Sequence, residues 1–132
     1  MCREFDVNNY IGKPYCLQNK NGVNCWGLVA MIYADCFSES LLDFPAKNSD
    51  SRTIAAVFSS AFASGEHGFH VVNEPADFDI VVFSRNTSFG TVYHCGIFIC
   101  GMVLHSVRGL GVIYKPLSEA ARGFRGYEFW RK

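Results

Sequence analysis

The stretch Asn24-Cys25-Trp26-Gly27-Leu28-Val29-Ala30-Met31-Ile32-Tyr33-Ala34-Asp35-Cys36-Phe37 decides the fold class. Residues 25–37 are almost wholly apolar. The run is about as long as an average helix and too long for a typical strand. Apolar on every side, such a helix belongs inside a core. Asn24 is a good N-cap, which places Cys25 in the first helical turn. Upstream, residues 1–24 are polar and rich in turns, punctuated by Gly12, Pro14 and Gly22.

Downstream, residues 38–50 read as loop. Ile54, Val57, Phe58, Ala61 and Phe62 then make the apolar stripe of an amphipathic helix over 52–63. Asp50 or Ser51 would cap it and Gly65 would end it. From residue 69 the period changes. Short strands are predicted over 69–72, 79–83, 92–100, 102–107, 111–114 and 127–130, with one helical turn over 118–122. Pro75 and a loop at 86–90 bound the second strand, and Gly101 marks a tight turn. Helices followed by a run of strands mean an α+β fold with a mainly antiparallel sheet. Strands that do not alternate with helices exclude a parallel, doubly wound sheet.

The 132 residues are one domain's worth of chain, read as a single domain over 1–132. Charged residues make up 18% and hydrophobic ones 49%, a composition that buries a core and excludes intrinsic disorder. Twelve Lys+Arg balance twelve Asp+Glu. No basic excess is present to neutralise phosphates, so no nucleic-acid partner is expected. No stretch approaches the ~20 apolar residues that span a bilayer, so membrane insertion is not expected. Met1-Cys2-Arg3-Glu4-Phe5-Asp6 lacks an apolar signal core, so the chain is expected to be made in the cytoplasm without a Sec signal. None of the six cysteines forms a C-x-x-C pair. Reduced thiols are therefore expected, with Cys36, Cys95 and Cys100 as small buried hydrophobes in apolar runs.

Cys25 is different. A thiol in the first turn of a helix faces the positive end of the helix dipole, which favours the thiolate. The unpaired N–H groups there can hold an oxyanion. Residue physics alone leaves Cys25 between a nucleophile and one more buried thiol. His94 and His105 both fall in predicted strands. If Cys100-Gly101 is a two-residue turn, paired residue numbers sum to 201. His105 then lies opposite Gly96, diagonal to His94 and on the same face. One imidazole could orient the other, or the two could be hydrogen-bonded histidines of a half-buried sheet. His67 and His70 read as solvated. No metal is expected, because His94 and Cys95 point to opposite faces of one strand.

Taken in order, these segments resemble the NlpC/P60 cysteine peptidases of bacterial cell walls. The segments are Gly12-Lys13-Pro14-Tyr15, Gly22-Val23-Asn24-Cys25-Trp26-Gly27-Leu28-Val29, Phe78-Asp79-Ile80-Val81-Val82-Phe83, His94-Cys95-Gly96-Ile97-Phe98-Ile99 and Leu104-His105-Ser106. The Cys-Trp-Gly-Leu-Val wording is most similar to the small domains of phage tail-assembly proteins. The resemblance implies a papain-like core, and no cofactor is expected. It implies hydrolysis of an amide in peptidoglycan stem peptides, typically between D-glutamate and a diamino acid. It casts Cys25 as nucleophile, His94 as base, His105 as orienting residue and Tyr15 as the tyrosine near the oxyanion. The expected place of action is the bacterial cell wall, as a free enzyme or in a virion tail beside other tail proteins. Asn24 stands where the family has Asp, and Phe78 where it has Gly. The alternatives are acyl transfer by the same residues, a structural tail component with little activity, and a secreted amidase toxin.

Overall fold

The helix forms where the apolar run lies. In the computed structural model, which describes residues 5–17, 19–41, 68–88 and 90–132, α1 spans Cys25–Phe37. Asn24 caps it from extended backbone, its side-chain oxygen accepting the Gly27 N–H at 2.7 Å. Ser38 ends it in the left-handed region, with φ 52°. The helix is not buried all round, contrary to the reading above. Leu28, Val29 and Ile32 are fully buried, whereas Ala34 and Asp35 are exposed. Its outer side carries Gly27, Ala30 and Ala34, which are apolar but too small to need a covering layer.

The fold is α+β, with a single six-stranded antiparallel sheet among the described residues. Its strands are β1 (His70–Val72), β2 (Ile80–Thr87), β3 (Gly90–Ile99), β4 (Met102–Val107), β5 (Gly111–Pro116) and β6 (Gly126–Arg131). A short turn of helix, α2 (Leu117–Ala120), precedes β6, and a 3-10 turn spans Val7–Asn9 near the start. The sheet order is β1-β6-β2-β3-β4-β5. The run β2 to β5 is a meander, but β6 inserts between β1 and β2, which nothing in the strand pattern signals. The 86–90 loop is also corrected. Pairing continues from Ile80↔Ile97 out to Thr87↔Gly90, so the hairpin is longer than its apolar part. The helix expected over 52–63 lies outside the described residues, as do Cys2 and His67.

Both faces of the sheet are covered. On one, Leu28, Val29 and Ile32 of α1 pack with Ile80, Val82, Cys95, Ile97, Leu104 and Val112. On the other, Val81, Phe83, Val103 and Phe129 pack with Ala120 of α2. Ile80-Val81-Val82-Phe83 is therefore a continuous apolar run, because alternate residues feed opposite cores.

The β3–β4 turn sets the register that matters here. Cys100 and Gly101 both have positive φ, 51° and 79°, as a two-residue primed turn requires. The pairs are Ile99↔Met102, Phe98↔Val103 and Ile97↔Leu104, each summing to 201. Cys100 is exposed rather than buried, because the turn lifts it out of the apolar run; Cys36 is half-buried. Among the described residues, no helix is long and apolar enough to cross a membrane.

Candidate active site

The segment before Cys25 is held by hydrogen bonds that its own sequence supplies. Val23 N–H donates to Pro14 O at 3.0 Å, and Asn24 N–H to Asn19 Oδ1 at 2.7 Å. The Asn24 side chain also donates from Nδ2 to Leu17 O at 2.8 Å. An Asp at this position could cap the helix equally well but could not make that last bond. Gly27 leaves room for Asn19, whose Oδ1 a β-carbon would strike. Ser106 Oγ of β4 donates to Val23 O at 2.7 Å, fastening the segment to the sheet.

Cys25 thereby reaches the edge of β3. The β3–β4 ladder stops at Ile97↔Leu104, so the edge at His94-Cys95 has no β4 partner. Cys25 is 6% exposed. Its sulfur hydrogen-bonds the Cys95 side chain, the Cys95 backbone N–H and the His94 side chain. The Cys95 hydrogen bond, with the bond and charge of His94, holds the Cys25 thiol well below its ordinary pKa despite burial. Burial and the Cys25 contact push the Cys95 thiol well above. The pair thus divides into an acidic thiol and a proton-holding one.

His94 and His105 meet on the far face. His94 Nε2 lies 2.7 Å from His105 Nδ1. That leaves His94 Nδ1 for the thiol. The His94 ring packs against both Phe83 and Phe124, with centroids at 5.8 and 5.7 Å and the Phe124 ring inclined only 8°, and the two phenylalanines meet each other at 5.3 Å. Gly96 makes the closeness possible. A β-carbon there would sit 2.7 Å from Val103 Cγ1, 2.8 Å from Leu104 O and 2.9 Å from His105 Cβ. His105 is 5% exposed, and burial, aided by the charge of His94, lowers its pKa from 6.5 to about 3. It is therefore neutral in ordinary buffers. For His94 to be an imidazolium, its Nε2–H must donate to His105 Nδ1, which puts the His105 proton on Nε2. That atom is buried with no hydrogen-bond partner among the described residues.

No family model matches the sequence, and no curated protein matches it closely.

The structure brings Cys25, His94 and His105 into one connected set, with Tyr15 beside it. Tyr15 is half-buried and lies within electrostatic reach of Cys25. Burial and the Cys25 charge raise the pKa of its phenol, opposed by a hydrogen bond and charge from Arg108. The Arg108 guanidinium lies 6.0 Å from the Tyr15 ring centroid. Sequence reasoning missed Cys95, Arg108 and Phe124. The argument that neighbours on a strand face opposite ways assumes approach to a face, whereas Cys25 meets β3 at its edge, where both neighbours are in reach. Arg108, just past the strand that carries His105, offered a signal; Phe124, in an irregular loop, offered none. His70 is exposed on β1. No three metal-ligating side chains among the described residues are arranged to hold an ion.

Proposed function

We propose that the chain is a papain-like cysteine hydrolase of the NlpC/P60 kind, a single domain over 1–132, that cleaves an amide in peptidoglycan stem peptides. The observation carrying this reading is the relay at the helix N-terminus: an acidified Cys25 thiol bonded to His94, whose Nε2 is bonded to His105 at 2.7 Å. Such a relay suits acyl transfer to water. Cys25 sulfur attacks the amide carbonyl carbon. The oxyanion is held by the Cys25 backbone N–H, unpaired within the helix as a first-turn amide, and by the Tyr15 hydroxyl that Arg108 polarises. His94 gives its proton to the leaving amine, and the acyl group stays on sulfur. His94 then takes a proton from water, which attacks the thioester and frees Cys25. His105 keeps His94 oriented throughout. The order of the sequence segments supports a cell-wall peptide as substrate and a phage-tail setting, with tail proteins as partners.

The test is incubation of purified protein with stem peptides containing the D-glutamyl–diamino acid bond, followed by mass analysis of the fragments. Cleavage that disappears in Cys25→Ala and His94→Ala supports the reading. Cleavage at the wild-type rate by Cys25→Ala refutes the thiol mechanism. Transfer of the acyl group to an added amine, with no free acid formed, would make the chain an acyltransferase.

A further inference from the structure

The relay needs one thiol, and the structure supplies two. Cys25 and Cys95, 6% and 0% exposed, come from α1 and β3 and share the same buried cluster. Their sulfurs are within hydrogen-bond reach of each other. An alanine at 95 would keep Cys25, His94 and His105 in place but remove the hydrogen bond that does most to acidify Cys25, so Cys95 tunes the nucleophile as well as lying beside it. Of the other described thiols, half-buried Cys16 sits in the loop before α1 with its N–H bonded to Val23 O, while Cys36 and Cys100 stand away from Cys25. Cys36 is eleven residues along α1, about 16 Å away by helical rise. Cys100 is exposed in the β3–β4 turn, its N–H bonded to Asp77 Oδ1 at 2.9 Å.

We propose that Cys25 and Cys95 form an oxidative modification site, at which hydrogen peroxide oxidises Cys25 and Cys95 then closes a reversible disulfide. The Cys25 thiolate attacks one peroxide oxygen. An S–O bond forms, the O–O bond breaks, and the departing hydroxide takes the His94 proton to become water. Cys25 is now a sulfenic acid. The Cys95 sulfur attacks the Cys25 sulfur and gives up its proton. The S–S bond forms, the S–O bond breaks, and hydroxide leaves with that proton as a second water. Two thiols have lost two hydrogens, and one peroxide has gained two electrons. The disulfide keeps Cys25 from the sulfinic and sulfonic acids, which thiols do not reverse. It also silences the nucleophile until a dithiol reduces it.

The experiment treats the protein with one equivalent of hydrogen peroxide, blocks free thiols and maps the peptides. Trypsin alone leaves Cys36 with Cys25 and Cys100 with Cys95, so chymotrypsin is added to cut after Tyr33 and Phe98. The expected result is a Cys25–Cys95 linked peptide that dithiothreitol resolves into two free thiols. Cys95→Ala should instead gain two or three oxygens on Cys25 that dithiothreitol does not remove. Wild-type protein that acquires those oxygens while Cys95 stays a free thiol overturns the proposal, as does linkage of Cys25 to another cysteine. Should Cys95→Ala not fold, the wild-type map decides alone. The readout uses no substrate, so the outcome is independent of whether stem peptides are cleaved.

Discussion

At the scale of single residues, His105 is held neutral at a cost that pH exposes. Its pKa falls from 6.5 to about 3 in the fold. Between those values the unfolded chain binds a proton that the folded chain refuses. The contribution of His105 is thus complete above pH 6.5 and lost as pH drops, at about 1.4 kcal/mol per unit. His105→Asn keeps an acceptor near the Nδ1 position and removes the unpartnered Nε2. It is expected to retain a large share of wild-type hydrolysis and to flatten the fall in urea midpoint between pH 6.5 and 4. His105→Ala should flatten it equally but lose roughly tenfold or more in kcat, as orienting groups do. An Asn variant as inactive as Ala would show that His105 does more than accept a hydrogen bond. The shared face of His94 and His105 was legible in the sequence, because one two-residue turn fixes the parity of every pair beyond it. The partnership of Cys25 with Cys95 was not, since it depends on where β4 stops pairing.

At the scale of elements, the turn into β2 and the β3–β4 crossing carry the clearest stresses. Phe78 has φ 73°, a left-handed conformation that costs a residue with a β-carbon roughly 1–2 kcal/mol. It is held there by edge-on contacts to Phe5 and Phe37, at 5.0 and 5.3 Å. Its carbonyl accepts from Tyr33 Oη at 3.0 Å. Phe78→Ala loses the ring and keeps the strain, whereas Phe78→Gly loses both. The glycine variant should be the more stable by about 1 kcal/mol in chemical denaturation, and an alanine variant that is more stable would show the backbone to be unstrained. Gly96→Ala should act the other way. The Leu104 oxygen at 2.8 Å is backbone and cannot swing aside, so β4 must move, at about 1–3 kcal/mol. The His94–His105 bond would lengthen with it, and kcat should fall further than the denaturation midpoint explains. Strand positions were readable from alternation and turn residues. Strand ends were not, because Ser84-Arg85-Asn86-Thr87 pairs without an apolar pattern to announce it.

At the scale of the molecule, the last strand closes the sheet and one ion pair pins it. Asp79, 2% exposed, receives both its oxygens' bonds from Arg131, at 2.8 Å each, and a further bond from Ala76 N–H at 2.8 Å. Arg131→Lys keeps the charge but not the two-pronged geometry, and Arg131→Leu leaves the buried carboxylate only its backbone donor. Urea midpoints should fall in the order wild type, Lys, Leu; equal midpoints would make the pair a bystander. The α+β class could be read from the order of helix and strand patterns, but the place of β6 could not, because adjacency in a sheet leaves no local mark in sequence. That placement also sets a schedule for synthesis on the ribosome. The β2–β5 meander can pair as soon as it emerges, yet β1 joins the sheet only through β6, and β2 keeps a bare flank until then. Until β6 emerges, the nascent chain therefore displays an apolar strand edge, the surface on which chaperones and other nascent copies compete.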